Sequence, residues 1–109
     1  RVDTPLLADR RAELDPLLAA LGRLGIAVGE PRANGGPDLR GIAAQGATLL
    51  DLKQDGNRYF DYHHTAGDTL DKVDPASIRQ VTSAFALTGW YFARSDWTHR
   101  PPPAPAATR

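Results

Sequence analysis

Proline and glycine limit how long any helix or strand of this chain can be. The 109 residues include nine prolines and ten glycines, and Gly29–Pro37 alone holds three of those glycines and two of those prolines. Proline removes a backbone donor and glycine adds conformational freedom, so this segment is predicted to be a loop. A chain of this size buries only about 60–70% of its unfolded surface in any case. We therefore expect a small, divided core, as in one piece of a larger domain.

Charge and composition exclude several classes of protein. Lysine and arginine together number 13, and so do aspartate and glutamate, which leaves no basic excess for nucleic-acid phosphates. No apolar run approaches the roughly 20 residues that span a bilayer. The absence of cysteine excludes disulfides and thiolate zinc sites. The sequence therefore predicts a globular protein with no nucleic-acid partner and no membrane span.

Capping signals and periodicity in the first half predict an α/β fold. Asp15-Pro16 suits a helix start, and leucines follow at helical spacing, so we expect a helix of about ten residues that ends at Gly25. The next predicted elements are an edge strand at Ile26–Val28, one or two helical turns at 38–46 and a buried strand at 47–52. Residues 1–14 match no single type of element.

The second half ends in the most clearly marked helix. Asp74-Pro75 repeats the start signal, and the apolar pattern continues to Ala93, which predicts a helix of roughly eighteen residues packed on a sheet. We expect its apolar stripe to consist of Ile78, Val81, Phe85, Trp90 and Phe92. Before it, the residues from Lys53 to Asp74 include few aliphatic side chains and predict a long functional loop. The proline-rich residues 96–109 are expected to be disordered.

Two adjacent histidines and several carboxylates lie together in this predicted loop. Neutral imidazole is a good zinc ligand, and a ligating histidine needs an acceptor that fixes its tautomer. Asp68, four residues after His64, is a candidate for that second-shell acceptor. Adjacent histidines in a loop generally point in different directions, so we do not expect His63 and His64 to share one ion. An exposed or structural loop explains the same residues, and both interpretations stay open on this pattern alone.

The order of the motifs resembles the C-terminal part of the M28 family of zinc peptidases, in particular the carboxypeptidase Q branch. The motifs are Gly35-Gly36-Pro37-Asp38, Gly46, Gln54-Asp55-Gly56, residues 59–65 and residues 68–75, all within 15–95. The segment His64-Thr65-Ala66-Gly67-Asp68-Thr69 matches the family pattern His-(Ser/Thr)-x-x-(Asp/Glu)-Thr. This ordered combination is far more specific than any one of its parts.

The resemblance implies both a fold and a chemistry. The fold is a three-layer α/β/α zinc-exopeptidase domain with a mixed sheet and a long C-terminal helix, of which this chain would be a fragment. Enzymes of the family hydrolyse small peptides with two zinc ions and a metal-activated water. Many relatives are exported, so an extracytoplasmic location is implied by the resemblance.

The resemblance also assigns roles to individual residues. His64 takes the position of the final metal ligand. His63 falls where some relatives have a tyrosine that stabilises the tetrahedral intermediate, and we expect it, with Tyr62, beside the substrate. The family often places an aspartate and a histidine where Asp38 and Leu39 stand. Because Leu39 departs from that pattern, we favour a helix-capping role for Asp38.

Most of the family's ligands and its general base have no counterpart in these residues. In the family's order the first histidine, the bridging aspartate and a glutamate pair belong upstream of Arg1. We therefore expect this polypeptide alone to hydrolyse nothing and to bind zinc weakly. The alternative is a non-catalytic α/β interaction module, or a truncated remnant, whose apolar faces are completed by a partner chain. Uncovered faces would also favour self-association, for example as a homodimer.

Overall fold

The computed structural model describes residues 1–95 as short strands and helices. The strands are β1 (Val2–Asp3) and β2 (Asp51–Leu52), and the helices are α1 (Leu6–Asp9), α2 (Arg11–Arg23), α3 (Arg40–Ala44), α4 (Tyr59–Tyr62) and α5 (Pro75–Arg94), with a 3₁₀ turn at Leu70–Lys72. Helices beside a small sheet are consistent with a fragment of an α/β domain. The three-layer arrangement stays a prediction. Residues 96–109, which are expected to be disordered, lie outside the described residues.

The sheet is centred on β1, in a segment to which the sequence assigns no element. β1 pairs antiparallel with β2, with Val2 opposite Leu52 and Asp3 opposite Asp51. On its other side Val2 forms a parallel bridge with Val28. Of the strand predicted at 26–28, only the bridge at Val28 forms. Of the strand predicted at 47–52, only the last two residues form β2. The reason is that β1 offers only two residues for pairing.

Asp3 is a carboxylate buried at the centre of this sheet, with 1% of its surface exposed. It accepts a hydrogen bond from the backbone N–H of Glu30 at 2.9 Å, and it forms ion pairs with Arg1 at 3.2 Å and Lys53 at 3.3 Å. The Glu30 hydrogen bond is the main cause that lowers the pKa of Asp3, and the two cations add to it, whereas burial acts in the opposite direction. Asp3 thereby joins three separate segments of the chain.

The leucines of α2 form the centre of the core. Leu14, Leu17, Leu18 and Leu21 occupy positions i, i+3, i+4 and i+7 and are all buried. Burying a leucine contributes about 1.5–3 kcal/mol, so this stripe dominates the stability of the small core. The helix begins at Arg11 and not at Asp15 as predicted. Burial of Leu14 extends the stripe by one turn, and proline in the second turn removes only one backbone hydrogen bond.

The start of α5 agrees with the sequence. The Asp74 carboxylate accepts hydrogen bonds from the backbone N–H groups of Ala76 at 3.3 Å and Ser77 at 2.8 Å, and Pro75 occupies the first helical turn. The helix ends at Arg94, one residue beyond the predicted end. Because capping uses only neighbouring residues, the sequence suffices to locate this boundary.

The prediction that five apolar residues of α5 pack against a sheet is wrong for three of them. Ile78, Phe85 and Trp90 are 51%, 62% and 64% exposed. The helix instead packs against α2 and buries Ala84, whose small side chain permits close approach of the two helices. Trp90 is not a core residue, since its ring lies beneath the Arg94 guanidinium, 4.9 Å from the ring centroid. Ile78 and Phe85, which lie seven residues apart on one face of α5, are therefore left largely uncovered by residues 1–95.

Two further predictions need correction. Asp38 does not cap α3, because the residue before that helix is Leu39 and no side chain caps it. The predicted stop is confirmed, since Gly46 follows α3 with a φ of 85°. The segment 53–74 is not structureless, because it contains α4 and the 3₁₀ turn.

Within residues 1–95, no helix combines the length and apolarity needed to cross a bilayer.

Candidate functional site

A pocket of about 590 Å³ lies at the carboxyl end of β2. Leu52 and the residues that follow it form one wall, and α4 forms another. Three of the four predicted site residues, Tyr62, His63 and Asp68, line this pocket together. His64, the predicted metal ligand, follows directly but does not belong to the lining. The fold therefore gathers most of the predicted site into one cavity.

His63 is held by the tyrosine one helical turn before it. The Tyr59 and His63 rings stack with centroids 4.3 Å apart and planes at 26°. The Tyr59 Oη lies 3.2 Å from the ring nitrogen Nε2 of His63. The backbone N–H of His63 donates to the backbone carbonyl of Tyr59 at 2.9 Å. Residues at i and i+4 share one face of a helix, which explains why α4 brings these two side chains together. The sequence analysis missed Tyr59, although its spacing from His63 was the available signal.

His64 has an unusual backbone conformation. Its φ is +59°, in the left-handed region that disfavours residues with a side chain. The His63 and His64 rings lie side by side, with centroids 3.8 Å apart. The expectation that the two histidines point in different directions is therefore wrong. The turn at His64 breaks the extended geometry in which neighbouring side chains alternate.

The described residues do not form a zinc site by themselves. Within residues 1–95, no group of three or more His, Cys, Asp or Glu side chains is arranged to hold a metal ion. Asp68 is exposed, and its backbone N–H donates to the Thr65 carbonyl at 3.1 Å. No hydrogen bond joins the Asp68 carboxylate to His64 in this part of the chain. The ligand role of His64 and the second-shell role of Asp68 thus stay predictions.

Two cations at the pocket were not singled out from the sequence. Arg58 donates a hydrogen bond to the Tyr62 hydroxyl, and its guanidinium lies 5.1 Å from the Tyr62 ring centroid. Lys72 pairs with Asp71, and this hydrogen bond, followed by that of Thr69, lowers the pKa of the Asp71 carboxyl. Both cations line the pocket beside Tyr62 and His63. Since Asp55 and Asp68 also line it, the pocket offers charged groups of both signs, together with the rings of Tyr59, Tyr62 and His63, to a polar ligand.

Asp38 lies apart from this constellation. It is exposed before α3 and does not line the pocket. The Gly35-Gly36 loop beside it is instead fixed by Asp51, whose carboxylate accepts from the backbone N–H groups of Asn34 and Gly35 at 3.0 Å each. That loop is tied to the start of β2, whereas the pocket begins at its end.

A solved structure supports a relationship to M28 peptidases. A peptidase M28 precursor from Shewanella amazonensis SB2B matches 95% of this chain with 36% sequence identity and a TM-score of 0.77. The chain spans only 24% of the length of that protein. No protein-family description and no curated protein matches the chain. The match supports a fold-level relationship between this chain and M28 peptidases.

Proposed function

We propose that this chain is part of the catalytic domain of a di-zinc exopeptidase of the M28 type, in the carboxypeptidase Q branch, that acts on small peptides. The observation that carries the proposal is the 36% identity to a peptidase M28 precursor over 95% of the chain. The ordered motif from His64 to Thr69 supports it. As in that larger protein, most of the domain would consist of other residues.

The contribution of this chain to zinc binding is the His64 imidazole. In such enzymes the metal ions supply an activated water and polarise the peptide carbonyl. Residues 1–95 hold too few grouped ligands for that chemistry. We therefore assign no chemical step to this chain alone, and the general base and the other ligands would come from the rest of the domain.

The peptide would lie in the pocket at the end of β2. Tyr62 offers its ring, and His63 is oriented by Tyr59, 3.2 Å from its Nε2. If the Tyr59 hydroxyl donates to Nε2, the ring proton lies on Nδ1 and is available to an oxygen of the substrate. This tautomer is our assignment. With this tautomer, His63 would stabilise the tetrahedral intermediate, as a tyrosine does in some relatives. Tyr59 would act as a positioning residue that orients the His63 ring.

The test of the proposal uses the larger M28 protein as a scaffold. The 109-residue chain replaces the matching quarter of the Shewanella amazonensis protein, and zinc content and peptidase activity of the chimera are measured. We expect about two zinc ions per chain. Replacing His64 with alanine should remove at least one of them, whereas Asp61→Asn, a change on α4 that leaves the imidazoles intact, should remove none. A His64→Ala chimera with unchanged zinc content and activity would contradict the proposal.

His63 has a separate readout in the same chimera. His63→Ala should lower kcat by about 10²-fold, as for loss of one donor to a developing oxyanion, and should leave the zinc content unchanged. Undiminished turnover would exclude the stabilising role of His63. The isolated chain, measured in parallel, should show no peptidase activity and no zinc affinity in the micromolar range.

A non-catalytic interaction module is the second candidate. The observation that favours it is the exposure of Ile78, Phe85 and Trp90 on one helix. A chimera that folds but holds no zinc would favour this candidate over the peptidase.

We also propose an extracytoplasmic location, since the matching protein is a precursor. Fractionation of cells that produce the full natural protein tests this, and a purely cytoplasmic protein would contradict it.

A further inference from the structure

The Asn34-Gly35 pair, in the loop before α3, has no part in the proposed peptidase chemistry. An asparagine that precedes glycine can cyclise, because the backbone nitrogen of the glycine can attack the carbon of the asparagine side-chain amide. Glycine has no Cβ to hinder this ring closure. Asn34 is exposed at the surface, so water has access to the product of such a reaction.

The nitrogen that would attack donates its proton to a carboxylate. The backbone N–H of Gly35 donates to Asp51 Oδ1 at 3.0 Å, and the backbone N–H of Asn34 donates to Asp51 Oδ2, also at 3.0 Å. Asp51 lies in β2, whose pairing with β1 holds the carboxylate in place. A base must lie within hydrogen-bond reach of the proton that it removes. Asp51 meets this requirement for the Gly35 nitrogen.

The carbonyl that would be attacked accepts a hydrogen bond of its own. The backbone N–H of Gly36 donates to Asn34 Oδ1 at 3.0 Å. When the Gly35 nitrogen bonds to Asn34 Cγ, negative charge develops on Oδ1, and a donor already placed there stabilises it. The loop therefore supplies both a base and an oxyanion donor for one bond-forming step.

The shape of the loop explains its glycines but not its asparagine. Gly35 has a φ of 65°, and a Cβ on it would lie 2.8 Å from the Cβ of Leu39, so the fold requires glycine there. At position 34, aspartate or serine could accept the hydrogen bond from Gly36 equally well. Asparagine differs from both in carrying an amide nitrogen that can leave as ammonia.

We propose that Asn34-Gly35 is a self-modification site at which the folded loop catalyses the formation of a succinimide. Asp51 takes the proton of the Gly35 nitrogen, and this nitrogen forms a bond to Asn34 Cγ. The bond from Cγ to Nδ2 breaks, and Asp51 returns the proton to Nδ2, which leaves as ammonia. Water then opens the ring, either at Cγ to give an ordinary aspartyl residue or at the main-chain carbonyl carbon to give a β-linked one. This inference does not depend on the proposed peptidase function.

The modification would release the loop from the sheet. The new carboxylate belongs to a residue whose backbone N–H is held by Asp51, so two like charges are brought together. The β-linked product also adds a methylene group to the main chain, which displaces the N–H groups that Asp51 accepts from. The connection between the Gly35-Gly36 loop and β2 is therefore lost as the protein ages.

The chain supplies its own reference for the test. Its other asparagine, Asn57, precedes Arg58, whose side chain hinders ring closure. Trypsin places Asn34 in peptide 33–40 and Asn57 in peptide 54–58, so the mass change at each residue is followed in one digest. The 109-residue chain and the chimera are incubated in neutral buffer, folded and in guanidinium chloride. We expect folding to accelerate the modification of Asn34 about 10²-fold, as for a positioned base, and that of Asn57 not at all.

Asp51→Asn tests the assigned base, since it retains an oxygen acceptor and removes the carboxylate. It should slow the modification of Asn34 in the folded protein about 10²-fold and leave the rate in denaturant unchanged. Asp38→Ser is the matched control, because it removes an exposed carboxylate that accepts from neither N–H, and it should change neither rate. The comparison of folded with denatured unaltered protein needs no variant, so it is decisive even if Asp51→Asn fails to fold.

Each outcome supports or overturns the proposal. Acceleration by folding that is lost in Asp51→Asn and kept in Asp38→Ser supports it. If Asn34 is modified no faster in the folded chain and the folded chimera than in denaturant, the hydrogen bonds protect the amide and the proposal is overturned. A folded Asp51→Asn protein that is modified at the unaltered rate also overturns it. A chimera that shows the acceleration but binds no zinc would refute the peptidase function and leave the self-modification site standing.

Discussion

Tyr59 and His63 form a stacked pair one helical turn apart, with 4.3 Å between ring centroids and 3.2 Å between Oη and Nε2. The pair spans α4, a helix of four residues that has no side-chain cap. So short a helix is unstable by itself, because nucleation fixes several residues for one hydrogen bond. The stack therefore stabilises the helix and orients the His63 ring at once.

Replacing Tyr59 with alanine should loosen α4 without unfolding the protein. The loss of an aromatic pair in this half-exposed setting is expected to cost about 0.5 kcal/mol of local stability. Hydrogen exchange of the His63 amide, which donates to the Tyr59 carbonyl, reports on it directly. Tyr59→Phe retains the stack and serves as the control. Equal exchange rates in the alanine and phenylalanine variants would show that the ring contributes nothing.

Replacing His64 with glycine and with alanine distinguishes the effect of its backbone conformation on stability from its role as a metal ligand. Its φ of +59° disfavours every residue with a Cβ, whereas glycine adopts it readily. His64→Gly should therefore be more stable than His64→Ala by about 1 kcal/mol in denaturant unfolding. In the chimera both variants should lose zinc equally. If the two variants are equally stable, the left-handed turn at His64 is not under strain.

Replacing Asp3 should remove part of the acid sensitivity of the fold. The folded pKa of Asp3 lies below its unfolded value, chiefly through the Glu30 hydrogen bond. The ionised carboxylate therefore stabilises the protein fully above about pH 5, and this contribution is lost as the pH falls through the folded pKa. Asp3→Asn should reduce the free energy of unfolding at pH 7 by about 2 kcal/mol.

The control for Asp3 is Asp9→Asn, a substitution of an aspartate at the end of α1 that takes no part in the Asp3 network. Unfolding free energies at pH 3.0 and pH 7.0 are compared for the three proteins. The difference between the two pH values should be smaller in Asp3→Asn than in the unaltered chain and in Asp9→Asn. An undiminished difference in Asp3→Asn would mean that other carboxylates determine the acid sensitivity.

Replacing Gly29 with alanine should disrupt the same network by steric overlap. An added Cβ would overlap the Asp3 carboxylate and lie 2.9 Å from the Val2 carbonyl oxygen. We expect a loss of about 1–3 kcal/mol in thermal or denaturant unfolding. Gly22→Ala is the control, because that position is open and helical and should gain about 0.5–1 kcal/mol. A Gly29→Ala protein as stable as the control would show that the Asp3 carboxylate can move away freely.

Local signals located much of the secondary structure. The Asp74 cap fixes the start of α5, and positive φ values at Gly25 and Gly46 follow the two predicted helix ends. Each depends on groups within a few residues along the chain. The start of α2 was misplaced because burial of Leu14 against distant residues outweighs the break expected at Pro16. The central position of β1 depends on pairing with residues some 50 positions away.

The candidate site shows the same division. The sequence placed Tyr62, His63 and Asp68 in one polar segment, and the structure lines one pocket with them. The sequence did not predict the contact between the His63 and His64 rings, because that contact depends on the left-handed turn at His64. Arg58 and Lys72 were missed because charged residues are common on any surface, and only the fold shows which of them line a cavity.

The sequence by itself determined the long capped helix, the leucine stripe and the histidine motif, since helical periodicity, capping and motif spacing are properties of neighbouring residues. Only the tertiary structure decided which face of α5 is buried and that Val2 and Asp3 form the centre of the sheet. It also decided that Arg58 and Lys72 line one pocket with Tyr62 and His63. The physical reason is that an apolar stripe becomes a core only where another surface covers it, and the partner that covers it is set by contacts between residues far apart in the chain.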